Sequence, residues 1–295
     1  ELAREDGFCH SSKVVIDTTL EDFVGVNYFE LLHQMAMRGI PKDRIVLLTS
    51  QSATDNFADE FYCNFKVIHY DMFASTYHNF ATDNNLFKEI KPRELQKHFI
   101  CFMKRPRMLR MIANGFFRHR KYVSKCYYSW HHTDESIREK KHSVNFDKNI
   151  TRLVDWEDIW NPDYFTEDIF DSIEGSKEWK FNPMVADTGG INIPMETHRR
   201  LDGAVFFQEK LDILDNSFFT EKTYKNFVYG LPFIGFGIPN YEKNLSKVGY
   251  ASWESMFNTK INNNSYPECL ISYFELVDEI ANMPLSKLQD LLNSK

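Results

Sequence analysis

The sequence predicts an α/β protein of two α/β halves, with helices at its C-terminal end. Three observations lead there. The runs at residues 13–17 (KVVID), 44–49 (RIVLLT) and 66–70 (KVIHY) are short, apolar and β-branched, as buried parallel strands are. Between the first two, apolar residues at Val26, Phe29, Leu32, Met35 and Ala36 keep a helical spacing that Gly39 and Pro41 stop. A fourth strand at 98–103 (HFICFM) runs through a basic turn into another helical pattern at Leu109, Ile112, Ala113, Phe116 and Phe117. Strand, helix and strand in quick succession is the pattern of a parallel sheet with covering helices.

The remaining elements follow in order. Residues 81–97 are polar, contain Pro92, and are expected to link the halves. Residues 131–180 are polar, acidic and Trp-rich, with no clear periodicity, and 191–194 form a short apolar run. Residues 220–229 predict a helix with Thr220 as N-cap and Gly230 as terminator. A strand at 231–236 (LPFIGF), a helix at 240–248 and two amphipathic helices at 269–281 and 285–292 complete the chain. The expected division is residues 1–95, 96–270, and 271–295 as helices packing back towards the N-terminal domain.

Composition narrows the function. The chain has 295 residues, 43% hydrophobic and 26% charged, enough for one large or two medium domains. Its formal charge of −7 disfavours a long phosphate backbone as partner, because nucleic-acid binders carry a basic balance or face. The basic cluster at residues 104–125 suits a small anion better. No apolar run is long enough to span a membrane, and the first residues lack an apolar signal core. Five dispersed cysteines form no CxxC pair, so a reduced, cytoplasmic protein is expected. High Phe, Tyr, Asn and Lys content is the coding bias of AT-rich genomes, many phages and large viruses among them.

Chemistry concentrates in two helix starts. Arg105, Arg107 and Arg110 lie where the strand at 98–103 turns into a helix, so bidentate donors would join backbone N–H groups at a positive dipole end. A solvated basic helix face is the plainer reading. Glu221 and Lys222 open the helix capped by Thr220. A lysine there opposes the macrodipole unless an anion such as pyrophosphate sits beside it, while the alternative is a capped surface helix with an ordinary charge pair. Glu196 follows a strand, where open α/β sheets place ligand residues, though a surface carboxylate is an equal reading. Gly189-Gly190 reads more readily as a turn than as a phosphate loop. His131 and His132 lack metal-site spacing, and HExxH, Asp-x-Asp, GxSxG, GxxxxGK[ST] and GxGxxG are all absent.

Residues 218–253 (FFTEKTYKNFVYGLPFIGFGIPNYEKNLSKVGYASW) resemble the C-terminal half of a phage, viral and bacterial glycosyltransferase family related to the α-1,3-fucosyltransferases and exostosins. The TEKTYK run, the Gly230-x-Pro232-Phe233 turn, and Leu245, Gly249, Tyr250 and Trp253 carry the resemblance. The basic turn at 103–110 resembles that family's Arg-rich turn, with Met103-Lys104 replacing the usual Asn-Arg, and Tyr128-Ser129-Trp130 and Met195-Glu196-Thr197 fall in the same order. The resemblance implies a GT-B fold, two Rossmann-like domains facing a cleft, with a nucleotide sugar held mainly by the C-terminal one. It assigns Lys222 and the arginines to the donor pyrophosphate, Glu221 to the ribose and Glu196 to the donor's vicinity. Thr220, Tyr224 and Lys225 complete the expected donor-binding motif. The acceptor would be a glycan or other hydroxyl-bearing molecule, with inversion and no metal or other cofactor expected. Asp17, Glu21 and Asp22, just past the first strand, are the candidates to deprotonate the acceptor. Two rivals are the same chemistry on hydroxymethylated bases of phage DNA, and a silent glycan- or nucleotide-binding module.

Overall fold

The computed structural model describes residues 13–18, 34–35, 37–49, 66–87, 91–103, 108–130, 180–194, 219–236, 240–247, 249–250, 253–264 and 266–294. The chain divides into two compact units, Glu1–Ser75 and Thr76–Lys295.

The first unit contains a parallel sheet of β1 (Val14–Thr18), β2 (Ile45–Thr49) and β3 (Lys66–His69) in the order β1-β2-β3. All three strands lie where the β-branched runs predict them. Ile16 pairs with Leu47, and both are buried, as is Ile45. The outer strands expose Val15 and Ile68, at 61% and 39%. Of the helix expected at 26–38, residues 34, 35, 37 and 38 are described; the first three are helical and Arg38 is in the turn that follows. Gly39 ends it in the left-handed region, φ 73°, and the next amide, of Ile40, bonds Met35 O at 3.1 Å.

Helix α1 (Met72–Asp83) starts at Asp71, whose Oδ1 accepts the Ala74 N–H at 2.9 Å. It takes in residues 81–83 of the segment expected as linker. The division between the two units falls inside α1, whose Tyr77 and Ala81 are buried and belong to the second unit.

The second unit is built on β4 (Lys97–Met103), β5 (Cys126–Trp130) and β6 (Gly189–Asn192), all parallel, in the order β5-β4-β6. Helix α2 (Met108–His119) joins β4 to β5. Helix α3 (Pro183–Thr188), capped by the Asn182 side chain on Met184 N–H, leads into β6. The Arg93 guanidinium ties this junction together through the carbonyls of Ala186, at 2.8 Å, and Gly189, and burial draws its pKa down to about 10. Gly189 and Gly190 are strand residues, not the turn that the sequence suggests. A Cβ on Gly190 would lie 2.3 Å from His98 O, so only glycine lets β6 approach β4 there.

Helix α4 (Glu221–Tyr229) has the predicted Thr220 cap and ends at Gly230, φ 60°, with Leu231 N–H on Asn226 O at 2.9 Å. The strand expected at 231–236 is reduced to a bridge between Phe233 and Asn192. Pro232 has no N–H to extend the ladder, although its carbonyl accepts from Asn192 at 2.8 Å. Helix α5 (Tyr241–Lys247) follows, then a 3-10 turn at Glu254–Met256, then α6 (Tyr266–Asn282) and α7 (Leu285–Asn293). These last helices form part of the second unit's own core. Phe274 stacks on Phe116 of α2 at 4.2 Å, Tyr122 bonds Asp278 at 2.8 Å, and Gln289 accepts from Leu95 N–H at 2.8 Å. Among the described residues no helix is long and apolar enough to cross a membrane.

Candidate functional site

The strand order of the second sheet decides where a ligand can bind. From β4 the chain passes through α2 to β5 on one side, while from β6 it passes through α4 to the Phe233 bridge on the other. Right-handed crossovers that diverge in this way leave a crevice at the carboxyl ends of the two strands between them, here β4 and β6. Helices that connect parallel strands start at that same edge. The N-termini of α2 and α4 therefore point to one end of the sheet, with their positive dipole ends.

A buried amide network fixes α4 there. The Asn192 Nδ2, on the last residue of β6, donates to Asn226 Oδ1 at 2.6 Å. Asn226 returns its own N–H groups to the carbonyls of Lys222 and Thr223, at 2.8 and 3.2 Å. Asn226 thus sits against the strand end, and Lys222, one turn earlier, projects beyond it. On the outer side Thr223 Oγ1 meets the Tyr241 hydroxyl at 2.7 Å.

Thr220, Glu221 and Lys222 come together as the sequence groups them. Thr220 Oγ1 accepts from Lys222 N–H at 3.3 Å and from Lys222 Nζ at 3.1 Å. The same ammonium donates to Glu221 Oε1 at 2.7 Å, with the lysine side chain 31% exposed and the glutamate 13%. Burial pushes the Glu221 carboxyl up, but the Lys222 charge and hydrogen bonds from Lys222, its own N–H and Thr220 outweigh it and hold it below its ordinary value. Lys222 is therefore kept at the dipole end by an acidic neighbour, the plainer of the two sequence readings.

Tyr224 and Lys225 do not join this cluster. Tyr224 is buried beside Tyr250, with ring centroids 6.5 Å apart, and the buried Lys225 sets its ammonium 4.8 Å over the Phe181 ring. Arg110 lies buried in the first turn of α2, on the same sheet edge as Lys222. Asp17 is exposed near the C-terminal end of β1 in the other unit. Arg105, Arg107, Glu196, Glu21, Asp22, His131 and His132 lie outside the described residues.

Two contributors escape sequence reasoning. Tyr77 of α1 is buried near Tyr229 and Glu221, and burial, then those two neighbours, raise its hydroxyl pKa. Asn226 is visible only as a polar residue four positions after Lys222; its partner Asn192 is distant in sequence, so nothing local announces the pair. Comparison with protein-family models, curated proteins and solved structures finds no match.

Proposed function

We propose that this protein is a glycosyltransferase of the GT-B kind, which moves a sugar from a nucleoside-diphosphate sugar to an acceptor hydroxyl with inversion. The observation that carries this reading is the capped α4 N-terminus. It bears Thr220, Glu221 and Lys222 at the switch point of a parallel sheet, and its sequence resembles the donor motif of the fucosyltransferase-like enzymes. A diphosphate leaving group needs its growing negative charge met. In this reading Lys222, the positive dipole end of α4 and the arginines of the turn before α2 supply that stabilisation, without a metal. Glu221, held ionised, accepts hydrogen bonds from ribose hydroxyls. A carboxylate of the first unit, Asp17, Glu21 or Asp22, takes the acceptor proton.

The test is the thermal shift of the protein with UDP, GDP, CDP and TDP and their sugars in EDTA, with Lys222→Ala beside the wild type. A shift with one nucleotide, abolished in the variant, supports the donor site and narrows the sugar. Equal shifts in the two proteins would remove Lys222 from it. No shift with any nucleotide favours a binding module without turnover, and turnover that required a divalent cation would overturn the metal-free mechanism.

A further inference from the structure

The start of α4 has a second support besides the Asn192–Asn226 pair, and it comes from α5. Tyr241 and Thr223 are both fully buried, and the tyrosine hydroxyl meets Thr223 Oγ1 at 2.7 Å. Thr223 adjoins Lys222, and its own N–H bonds the Thr220 carbonyl at 3.0 Å. The hydroxyl contact is therefore made to the turn that carries the Thr220–Lys222 cluster. The tyrosine has little room to move. Its ring lies against Gly235, where a Cβ would come within 2.3 Å of it, and meets the Phe219 and Phe233 rings edge-on, at centroid distances of 5.3 and 6.3 Å.

Tyr241 is in turn placed by contacts that end on α6. Asn240, which precedes it, has φ 53°, in the left-handed region that asparagine tolerates better than most residues. Its N–H donates to Asn263 Oδ1 at 2.7 Å, and its carbonyl accepts from Asn244 N–H at 2.9 Å as α5 begins. Asn263 belongs to a loop fastened twice to α6. Glu279 Oε1 accepts from the Asn258 N–H and Nδ2, each at 3.0 Å, and its Oε2 accepts from Thr259 N–H at 2.8 Å and Oγ1 at 2.7 Å. Ser272 Oγ accepts from Asn262 N–H at 3.0 Å. Helix α6 has 17 residues and is anchored in the core by the stack of Phe274 on Phe116. The Tyr241 hydroxyl is thus the last member of a line of bonded groups that runs from a core helix to the first turn of α4.

We propose that Tyr241 is a positioning residue for Lys222: through Thr223, its hydroxyl fixes the first turn of α4 so that the ammonium keeps one place at the edge of the second sheet. The proposal rests on the reading of α4 as the donor-phosphate site and adds to it a residue that touches no ligand. Asn226 anchors α4 one turn further along, and two anchors at separate points fix a helix start that one would let pivot.

The experiment uses Tyr241→Phe, Thr223→Val and the double variant, which all remove the bond and keep the packed shape. Each single variant leaves the partner hydroxyl buried without this bond and loses thermal stability, and the double variant, which lacks both hydroxyls, should recover most of it. Positioning should not recover, because the bond is absent from all three. Binding of whichever of UDP, GDP, CDP and TDP the wild type takes in EDTA should weaken about tenfold in the single variants and the double alike. Without nucleotide, the Thr223 and Tyr224 amides should exchange hydrogen faster than in the wild type in all three, while β4 stays protected. Affinity that returns with stability in the double variant would make the bond merely structural and overturn the proposal. Should no nucleotide bind the wild type, the donor reading fails and exchange alone decides on Tyr241: faster exchange confined to the first turn of α4 supports it, and unchanged exchange there refutes it.

Discussion

The two sheets use the same parts in different orders. In each, three parallel strands are described, with a buried central strand, but the first runs β1-β2-β3 and the second β5-β4-β6. In sequential order every connection moves the same way, and no crevice opens among the described strands. Reversal at β4 opens one, and there Asn192 meets Asn226 and α4 presents Lys222. The sheets also differ in enclosure. Every residue of β5 and β6 is buried, whereas Val15 and Ile68 show apolar side chains on the first sheet. Strands enclosed on both faces hold their register tightly, which a site assembled from several strand ends requires.

Glycine replacement should separate the two sheets most strongly. Gly190→Ala drives a methyl into the His98 carbonyl on the central strand, which cannot move without breaking the β4–β6 ladder. It should cost about 3 kcal/mol. Gly39→Ala in the first unit meets no neighbouring atom, and only its positive φ opposes the change, at about 1 kcal/mol. All five tryptophans follow residue 75, so denaturation read by Trp fluorescence should detect the first variant and hardly the second. Equal effects would erase the distinction in packing.

Asn226→Ala tests the strand reversal as the organiser of the site. It leaves the buried Asn192 amide unsatisfied and frees two carbonyls of the α4 first turn, for about 2 kcal/mol. Nucleotide binding, where present, should weaken with it, since Lys222 would lose its register on the sheet. A fall in stability with affinity retained would make the network purely structural.

The smallest contrast is on the surface. Val15→Thr changes an exposed methyl on β1 and should shift stability by no more than about 0.5 kcal/mol. Ile191→Val removes one methyl from the closed second sheet and should cost about 1 kcal/mol. Amide exchange in β2 and β4 reads the two units separately. A large loss from Val15→Thr would show that its face is covered in solution.

Much of this architecture could be read from the chain. The β-branched runs place β1, β2 and β3, and the apolar run at 98–103 places β4, because strands of a parallel sheet are short, largely apolar stretches. Thr220 and Gly230 mark both ends of α4, because a cap and a left-handed terminator act within a few residues. The cluster of Thr220, Glu221 and Lys222 was legible for the same reason, since its three members adjoin in sequence. Helix α1 was hidden in polar residues, its burial resting on Tyr77 and Ala81 alone. The strand role of Gly189 and Gly190 was hidden too, because a glycine chosen for close strand approach looks like a turn until its neighbour is known. Only the folded chain could show that β6 lies beside β4, that Asn192 bonds Asn226, and that Lys225 sits over Phe181. Each of these contacts joins residues from separate elements or on a particular helix face. Local chemistry determines the elements, but strand order and packing decide which side chains meet.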